Sequence, residues 1–308
     1  MEFYSSGKFL ISGEYLVMLG ARALAVPLRF GQSLSVSDKP GSGILSWKSL
    51  ALGNAWFEAT FALPSLKIHQ SSDPEKAAFL IKVLKAAQKL NPQIVKQSSG
   101  LQVVTKADFD IQWGLGSSST LISNIAWWFK INPFELHFKV SKGSGFDVAC
   151  ARSDSPILYE LKNRRSLITS VPFSPPFKEQ LFFVYLGKKQ RSDVSIGQLA
   201  PRLKSRRKEI RRISKISEEM VVTSDPSAFR QMMDEHESIL SEVLDLPTVK
   251  SYLFGDLQGS VKSLGAWGGD FVLMTWENSI PELKNYLDSK GFQTWFGFDD
   301  IVLPTSQF

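Results

Sequence analysis

The chain has 308 residues, 43% hydrophobic and 21% charged, ordinary for a soluble globular protein and long enough for one large or two medium domains with real cores. The absence of any run of 18 apolar residues argues against a membrane span, and Met1-Glu2-Phe3-Tyr4-Ser5-Ser6 lacks the basic and apolar regions of a signal peptide, so a cytoplasmic protein is expected. Net charge is +6, and the single Cys150 with three scattered histidines (His69, His137, His236) excludes an internal disulfide and a structural zinc site.

Residues 7–12 read as a buried strand ending at Gly13-Glu14. Short apolar stretches follow at Leu16 to Met18 and Ala23 to Leu28, the second closed by Pro27. Ser33 to Ser37 alternates like a strand, and after the Lys39-Pro40-Gly41-Ser42-Gly43 turn Ile44 to Trp47 is expected to return as its partner. Trp56 to Ala62 is another strand. Asp73-Pro74-Glu75, a cap followed by proline at the first helical position, opens a helix over 74–90. Gly100 to Thr105 predicts a strand, then Gly114-Leu115-Gly116-Ser117-Ser118-Ser119 predicts a tight loop opening a helix to about 130. Pro133 to Val140 suggests a short helix, and Pro156 to Leu161 a strand.

Residues 171–179, with Pro172, Pro175 and Pro176, mark the best boundary, giving domains 1–170 and 171–308. Beyond it the pattern predicts a strand at Leu181 to Leu186 and helices at 198–222, 226–243 and 247–262. A glycine-rich turn then feeds an apolar strand within Leu264 to Trp276, followed by a helix at 280–290 and a strand at 300–303. The class is α+β. Residues 202–215 hold eight basic residues against Glu209 alone. Without aromatic residues for stacking, this run reads as a solvated helix face or an attractor of small anions, and no nucleic-acid partner is expected.

Four segments carry chemistry. Lys8, at the start of an apolar strand, must reach solvent or an anion, because a buried ammonium without a partner is costly. Glu14 either caps a turn or points at a ligand. The 114–119 loop combines glycines that let backbone approach a ligand with a helix N-terminus whose first amides lack partners, a seat for phosphates or a plain serine-capped helix. In Gly143-Ser144-Gly145-Phe146-Asp147, the carboxylate either caps the following helix or takes a proton from a hydroxyl. Gly265-Ala266-Trp267-Gly268-Gly269-Asp270 is a tight turn that brings backbone close to something.

The order of these segments resembles the GHMP kinase superfamily. Gly7, Lys8, Gly13 and Glu14 resemble its first motif, Gly114 to Ser118 the second, and Gly265, Ala266, Gly268 and Gly269 the third. Tyr15, the Gly-Ser-Gly-Phe-Asp-Val-Ala run at 143–149 and Gly268-Gly269-Asp270 look like the mevalonate and phosphomevalonate kinase branch. The resemblance implies a two-domain fold, ribosomal S5-like then ferredoxin-like, with ATP and acceptor in the cleft between the halves. It implies Lys8 and Asp147 as catalytic residues. It implies that Gly114, Leu115, Gly116, Ser117, Ser118, Ser119, Gly265, Ala266, Gly268 and Gly269 hold ATP. Glu14, Ser144, Lys189 and Ser192 would bind a small anionic acceptor, and Ser118, with Glu135, would hold Mg²⁺.

The resemblance thus implies an isoprenoid-pathway kinase for mevalonate, its phosphate or a similar alcohol; no membrane partner is expected, and a homodimer is allowed. A kinase for homoserine or a sugar, a related decarboxylase and a kinase-like binding protein without turnover stay open. Asp110 stands where the second motif has proline, Thr120 replaces a small alanine, and Trp267 replaces a small residue and would crowd or line the nucleotide site.

Overall fold

The computed structural model describes residues 1–96, 99–187 and 206–304. Its contacts divide the chain into two compact units that interleave in sequence. The first contains residues 1–7, 30–111 and 115–152; the second contains 8–29, 112–114 and 153–308.

In the first unit the strands run in the order β5 (Lys67–Ser71), β4 (Asn54–Ala62), β3 (Ile44–Ala51), β6 (Leu101–Ala107) and the second half of β2 (Ala23–Asp38). The residue at 44–51 therefore does not form a hairpin with β2. β6 lies between them, antiparallel to β2 and parallel to β3. Pro27 does not end a strand either. It falls between the segment of β2 that pairs β7 (Ile157–Lys162), 23–25, and the one that pairs β6, 32–38, so its missing N–H interrupts neither of those two ladders.

Helix α1 (Pro74–Leu90) begins where expected, with Asp73 accepting from the Lys76 amide. Its Leu80, Val83, Leu84 and Ala87 pack in one core with Ile122, Ile125 and Trp128 of α3 (Ser117–Trp128) and Leu136 and Val140 of α4 (Pro133–Val140). Each such side chain contributes about 1.5–3 kcal/mol on burial, so α3 is held by packing along most of its length. The short α2 (Gln93–Lys96) follows α1, and α5 (Phe146–Cys150) closes the unit.

In the second unit, β1 (Glu2–Ser12), which pairs β2, contributes its second half, and β7 continues to β8 (Arg165–Ser170). A separate sheet has the order β10 (Val261–Leu264), β11 (Phe271–Thr275), β9 (Leu181–Tyr185), β12 (Trp295–Gly297). Its Phe182, Val184, Val272 and Met274 pack with Leu283 and Leu287 of α9 (Ile280–Ser289). Helices α6 (Arg207–Val222) and α7 (Pro226–Leu244) complete the unit with α8 (Val249–Leu253).

The helix expected over 247–262 is only five residues long. A Cβ at Gly259 would overlap the Thr275 carbonyl, so the chain passes there as a turn and re-enters as β10. The strand expected at 300–303 is instead a helical turn, α10 (Phe298–Ile301), preceded by β12. The described part of the basic run is a solvated face of α6. Arg212 pairs with Glu235 at 2.5 Å and Glu219 at 3.2 Å, while Ile213, Ile216 and Met220 are buried. No helix among the described residues is long and apolar enough to cross a membrane.

Candidate functional site

Gly7 and Lys8 look alike in sequence as the start of an apolar strand, but they do different work. In the first unit, a Cβ on Gly7 would come within 2.9 Å of the carbonyl oxygens of Phe30 and Leu115. Leu115 is the buried middle of the Gly-Leu-Gly turn, so the loop's backbone rests directly on β1. In the second unit, Lys8 Nζ donates to the Gly114 carbonyl at 3.1 Å. The ammonium is thereby held at the entrance of the loop.

Gly114 is pressed from the other side by Asp270, the residue that ends the late glycine turn. A Cβ at 114 would overlap that carboxylate, and φ is +69°. Three of the four segments singled out in the sequence therefore meet at one glycine. Gly114→Ala is expected to destabilise the protein by about 1–3 kcal/mol, from left-handed strain alone, read as a lower urea midpoint. A variant as stable as the wild type would contradict this geometry.

Beyond Gly116, at φ +104°, α3 begins, and its first internal bond runs from the Thr120 amide to the Gly116 carbonyl. The amides of Ser117, Ser118 and Ser119 precede that bond, at the positive end of the helix dipole. Ser118 is exposed, whereas Ser119 is buried and its hydroxyl donates to the Gly116 carbonyl at 2.8 Å. Ser119 can thus offer a ligand its amide but not its hydroxyl.

Side chains that no local pattern marks fix the helix. Thr120 Oγ1 donates to Gln32 Oε1 at 2.9 Å, Asn124 Nδ2 to the Gln32 carbonyl at 2.8 Å, and Ser5 Oγ to Asn124 Oδ1 at 2.8 Å. Arg152 donates to Ser123 and lies over the Trp127 ring, 4.6 Å from its centroid. Thr120, in place of the expected alanine, is a buried anchor.

Asp147 stands in the first turn of α5, after Gly145 at φ +88°, and its Oδ1 accepts from the Val148 amide at 3.0 Å. It is partly exposed. Ser144 is 4% exposed, and its hydroxyl accepts from the Phe146 amide at 3.4 Å, so it caps the turn that presents Asp147. Glu135 is exposed in the first turn of α4, after the Asn132 cap. Among the described residues, no three His, Cys, Asp or Glu side chains gather as a metal cage. Lys189 and Ser192 lie outside the described residues.

The late turn is closed by a bond from the Gly269 amide to the Ala266 carbonyl at 2.9 Å, with Gly265 and Gly268 at φ +80° and +65°. The Trp267 amide donates to Tyr15 Oη at 2.6 Å, and its indole N–H to the Pro247 carbonyl at 3.0 Å. The ring is thus tethered to the segment before α8.

Glu14 is not exposed to an acceptor. It is 2% exposed, and its Oε1 accepts from Lys262 Nζ at 2.6 Å, a Lys that is itself fully buried. A buried carboxylate needs a compensating charge, and Lys262 supplies it. The Gly13 amide donates to His236 Nε2 at 3.0 Å, which places the ring proton on Nδ1, 3.9 Å from Glu237 Oε1. Burial pushes the Glu14 carboxyl up, but the Lys262 ammonium opposes it and the carboxyl lies below the ordinary value. Burial, aided by Lys262, lowers His236 to about 4, and burial raises Glu237 to about 8. Near neutral pH the cluster therefore holds one carboxylate, one ammonium, a neutral imidazole and a neutral carboxyl.

These shifts have opposite consequences. Glu237 keeps in the folded state a proton that the unfolded chain releases above 4.5, so stability falls as pH rises from there to about 8. His236 is neutral in the fold where the unfolded chain is charged, so stability falls as pH drops from 6.5 to about 4. The two slopes cancel where they overlap, and above 6.5 only the Glu237 slope remains. Wild-type stability is expected to drop by about 2 kcal/mol between pH 6.5 and 8, and Glu237→Gln to abolish that drop. Parallel curves for the two proteins in urea melts would contradict the assignment.

No protein-family model and no curated protein matches the chain. Solved structures do. Mevalonate kinase from Methanococcus jannaschii shares 17% identity over 96% of both chains, with a TM-score of 0.70. Streptococcus pneumoniae phosphomevalonate kinase, solved with phosphomevalonate and AMPPNP, shares 14% identity over 96% of this chain and 99% of that one, at 0.71. Lactococcus lactis galactokinase, complexed with galactose, shares 11% over 99% and 93%, at 0.66. The chain has the fold of these proteins, the GHMP kinase fold, across nearly its whole length.

Proposed function

We propose that the protein is an ATP-dependent phosphotransferase acting on a small anionic alcohol or its phosphate, of the mevalonate or phosphomevalonate type. The observation that carries this reading is the Lys8 ammonium held at 3.1 Å on the Gly114 carbonyl, at the entrance of a loop that opens α3. A cation fixed on the first glycine of the loop and the unpartnered first amides of α3 each suit a polyphosphate better than a neutral ligand. The shared fold with mevalonate and phosphomevalonate kinases supports the same reading.

In this account the amides of Ser117, Ser118 and Ser119 bind the ATP phosphates, and Lys8 neutralises the charge on the phosphoryl group in transit. Phosphoryl transfer depends on positioning and charge neutralisation more than on covalent catalysis. Asp147, on its capped turn, takes the acceptor's hydroxyl proton or orients that hydroxyl. An acceptor that is already a phosphate has no proton to lose at neutral pH, so the demand would then fall on Lys8. The residues fit a magnesium ion that enters with the nucleotide: Ser118 offers an exposed hydroxyl, and Mg²⁺ commonly keeps waters and phosphate oxygens as its other ligands. Such an ion would supply charge neutralisation at the phosphates.

ADP release scored over mevalonate, phosphomevalonate, homoserine and sugars tests the proposal. Release with an anionic alcohol or its phosphate is the expected result. ATP binding without release from any acceptor would make this a kinase-like binding protein.

A further inference from the structure

Gly13, Glu14 and Tyr15 are three consecutive residues, and each is gripped by a different element of the second unit. The Gly13 amide donates to His236 Nε2 from α7. The Glu14 carboxylate takes the Lys262 ammonium from β10, and Lys262 also donates to the Ser263 carbonyl at 2.8 Å. The Tyr15 hydroxyl accepts the Trp267 amide of the late turn. The backbone is strained at Tyr15, a bulky residue held at φ +60°. Conformations of this kind persist only where the surroundings over-determine them, and they cluster at functional positions.

The grip closes a circuit. Five residues before Gly13, on β1, stands Lys8, which holds Gly114. Gly114 leans on Asp270, Asp270 ends the late turn, and that turn is tied by Trp267 back to Tyr15. A buried ion pair is a poor device for stability alone, because well-packed apolar residues of similar volume serve as well or better. It is a good device for fixing one geometry.

We propose that Glu14 and Lys262, with Tyr15, act as positioning residues that hold the Lys8 strand and the 265–270 turn in one register. They act through Lys8 and Gly114 and touch neither nucleotide nor acceptor. The proposal rests on the phosphotransferase reading for its effect on turnover, but not for the register itself.

The test is the double variant Glu14→Gln/Lys262→Met, which removes both charges at similar volume, beside Tyr15→Phe, which removes only the acceptor of the Trp267 amide. Both are expected to melt close to the wild type and to lose turnover about tenfold or more, with KM for ATP changed less than about threefold, as expected for displaced reacting groups. Turnover within twofold of wild type in a double variant that folds would overturn the proposal. Should the double variant not fold, unchanged turnover in Tyr15→Phe would overturn it alone.

Hydrogen exchange separates this from failure of the functional reading. Even in a protein with no turnover, the Trp267 amide should exchange at least about tenfold faster in Tyr15→Phe, since its protecting partner is gone. Unchanged exchange would show that the register does not depend on the grip.

Discussion

Lys8→Ala and Asp147→Ala are each expected to lower turnover at least about a hundredfold, the scale of losing one positioned charge or proton-transfer group. The two should differ in kind. Lys8 is anchored on the Gly114 carbonyl, so its loss removes a cation from the loop itself, and both nucleotide affinity and turnover should suffer. Asp147 is anchored through its own turn, by the Val148 amide, so its loss should spare nucleotide binding. If the acceptor is a phosphate, Asp147→Ala should cost much less than Lys8→Ala. Steady-state kinetics with ATP titrations check both statements, and full turnover in both variants would remove these residues from the mechanism.

Lys262→Ala carries the other large effect. It leaves the Glu14 carboxylate 2% exposed and without its ammonium partner. Breaking a buried pair by removing one partner typically costs about 3–5 kcal/mol. The loss should shrink at low pH, because an unpaired buried carboxylate lowers its cost by taking up a proton. Urea unfolding at neutral pH and near pH 5 checks this. A variant equally stable at both would mean that Glu14 does not carry its charge in the fold.

The motif residues were legible because their chemistry is local. The glycines of the 114–119 loop and a proline at the first turn of α1 each announce a backbone state within a few residues. For the 114–119 loop such signals leave a serine-capped helix and a seat for phosphates both open, and it is the resemblance carried by the order of the four segments that implies the second. What could not be read is non-local or lacks a periodic signature. β5 and β8 are almost wholly exposed, with no alternation of buried and exposed positions to reveal them. The insertion of β6 between β2 and β3 is a pairing choice that no turn residue dictates.

The Glu14–Lys262 pair joins residues 248 apart, and His236 reaches Gly13 over 223. In sequence Glu14 reads as either a turn cap or a ligand-facing acid, because a charged residue after a glycine turn carries no mark of its distant partner. Lys262 looked like the tail of a helix. The Gly259 close approach, invisible without Thr275 beside it, and the pairing with β11 make that segment a strand. The anchors beneath α3 are of the same kind: nothing in the sequence around Thr120 and Asn124 points to Gln32 as their partner.

The central claim is that the 114–119 loop holds the phosphates of ATP through the first amides of α3. Ser118→Asp puts a carboxylate at the exposed first-turn position of α3, where it suits the helix dipole but repels a bound phosphate. Calorimetric titration with ATP and with adenosine, on wild type and variant, tests the claim directly. ATP should bind the wild type far more tightly than adenosine does, and the variant should lose at least about tenfold in ATP affinity, the scale of like charges brought close together, while melting near the wild-type temperature. Equal affinity for ATP and adenosine, or a folded variant that binds ATP as well as the wild type, would contradict the account.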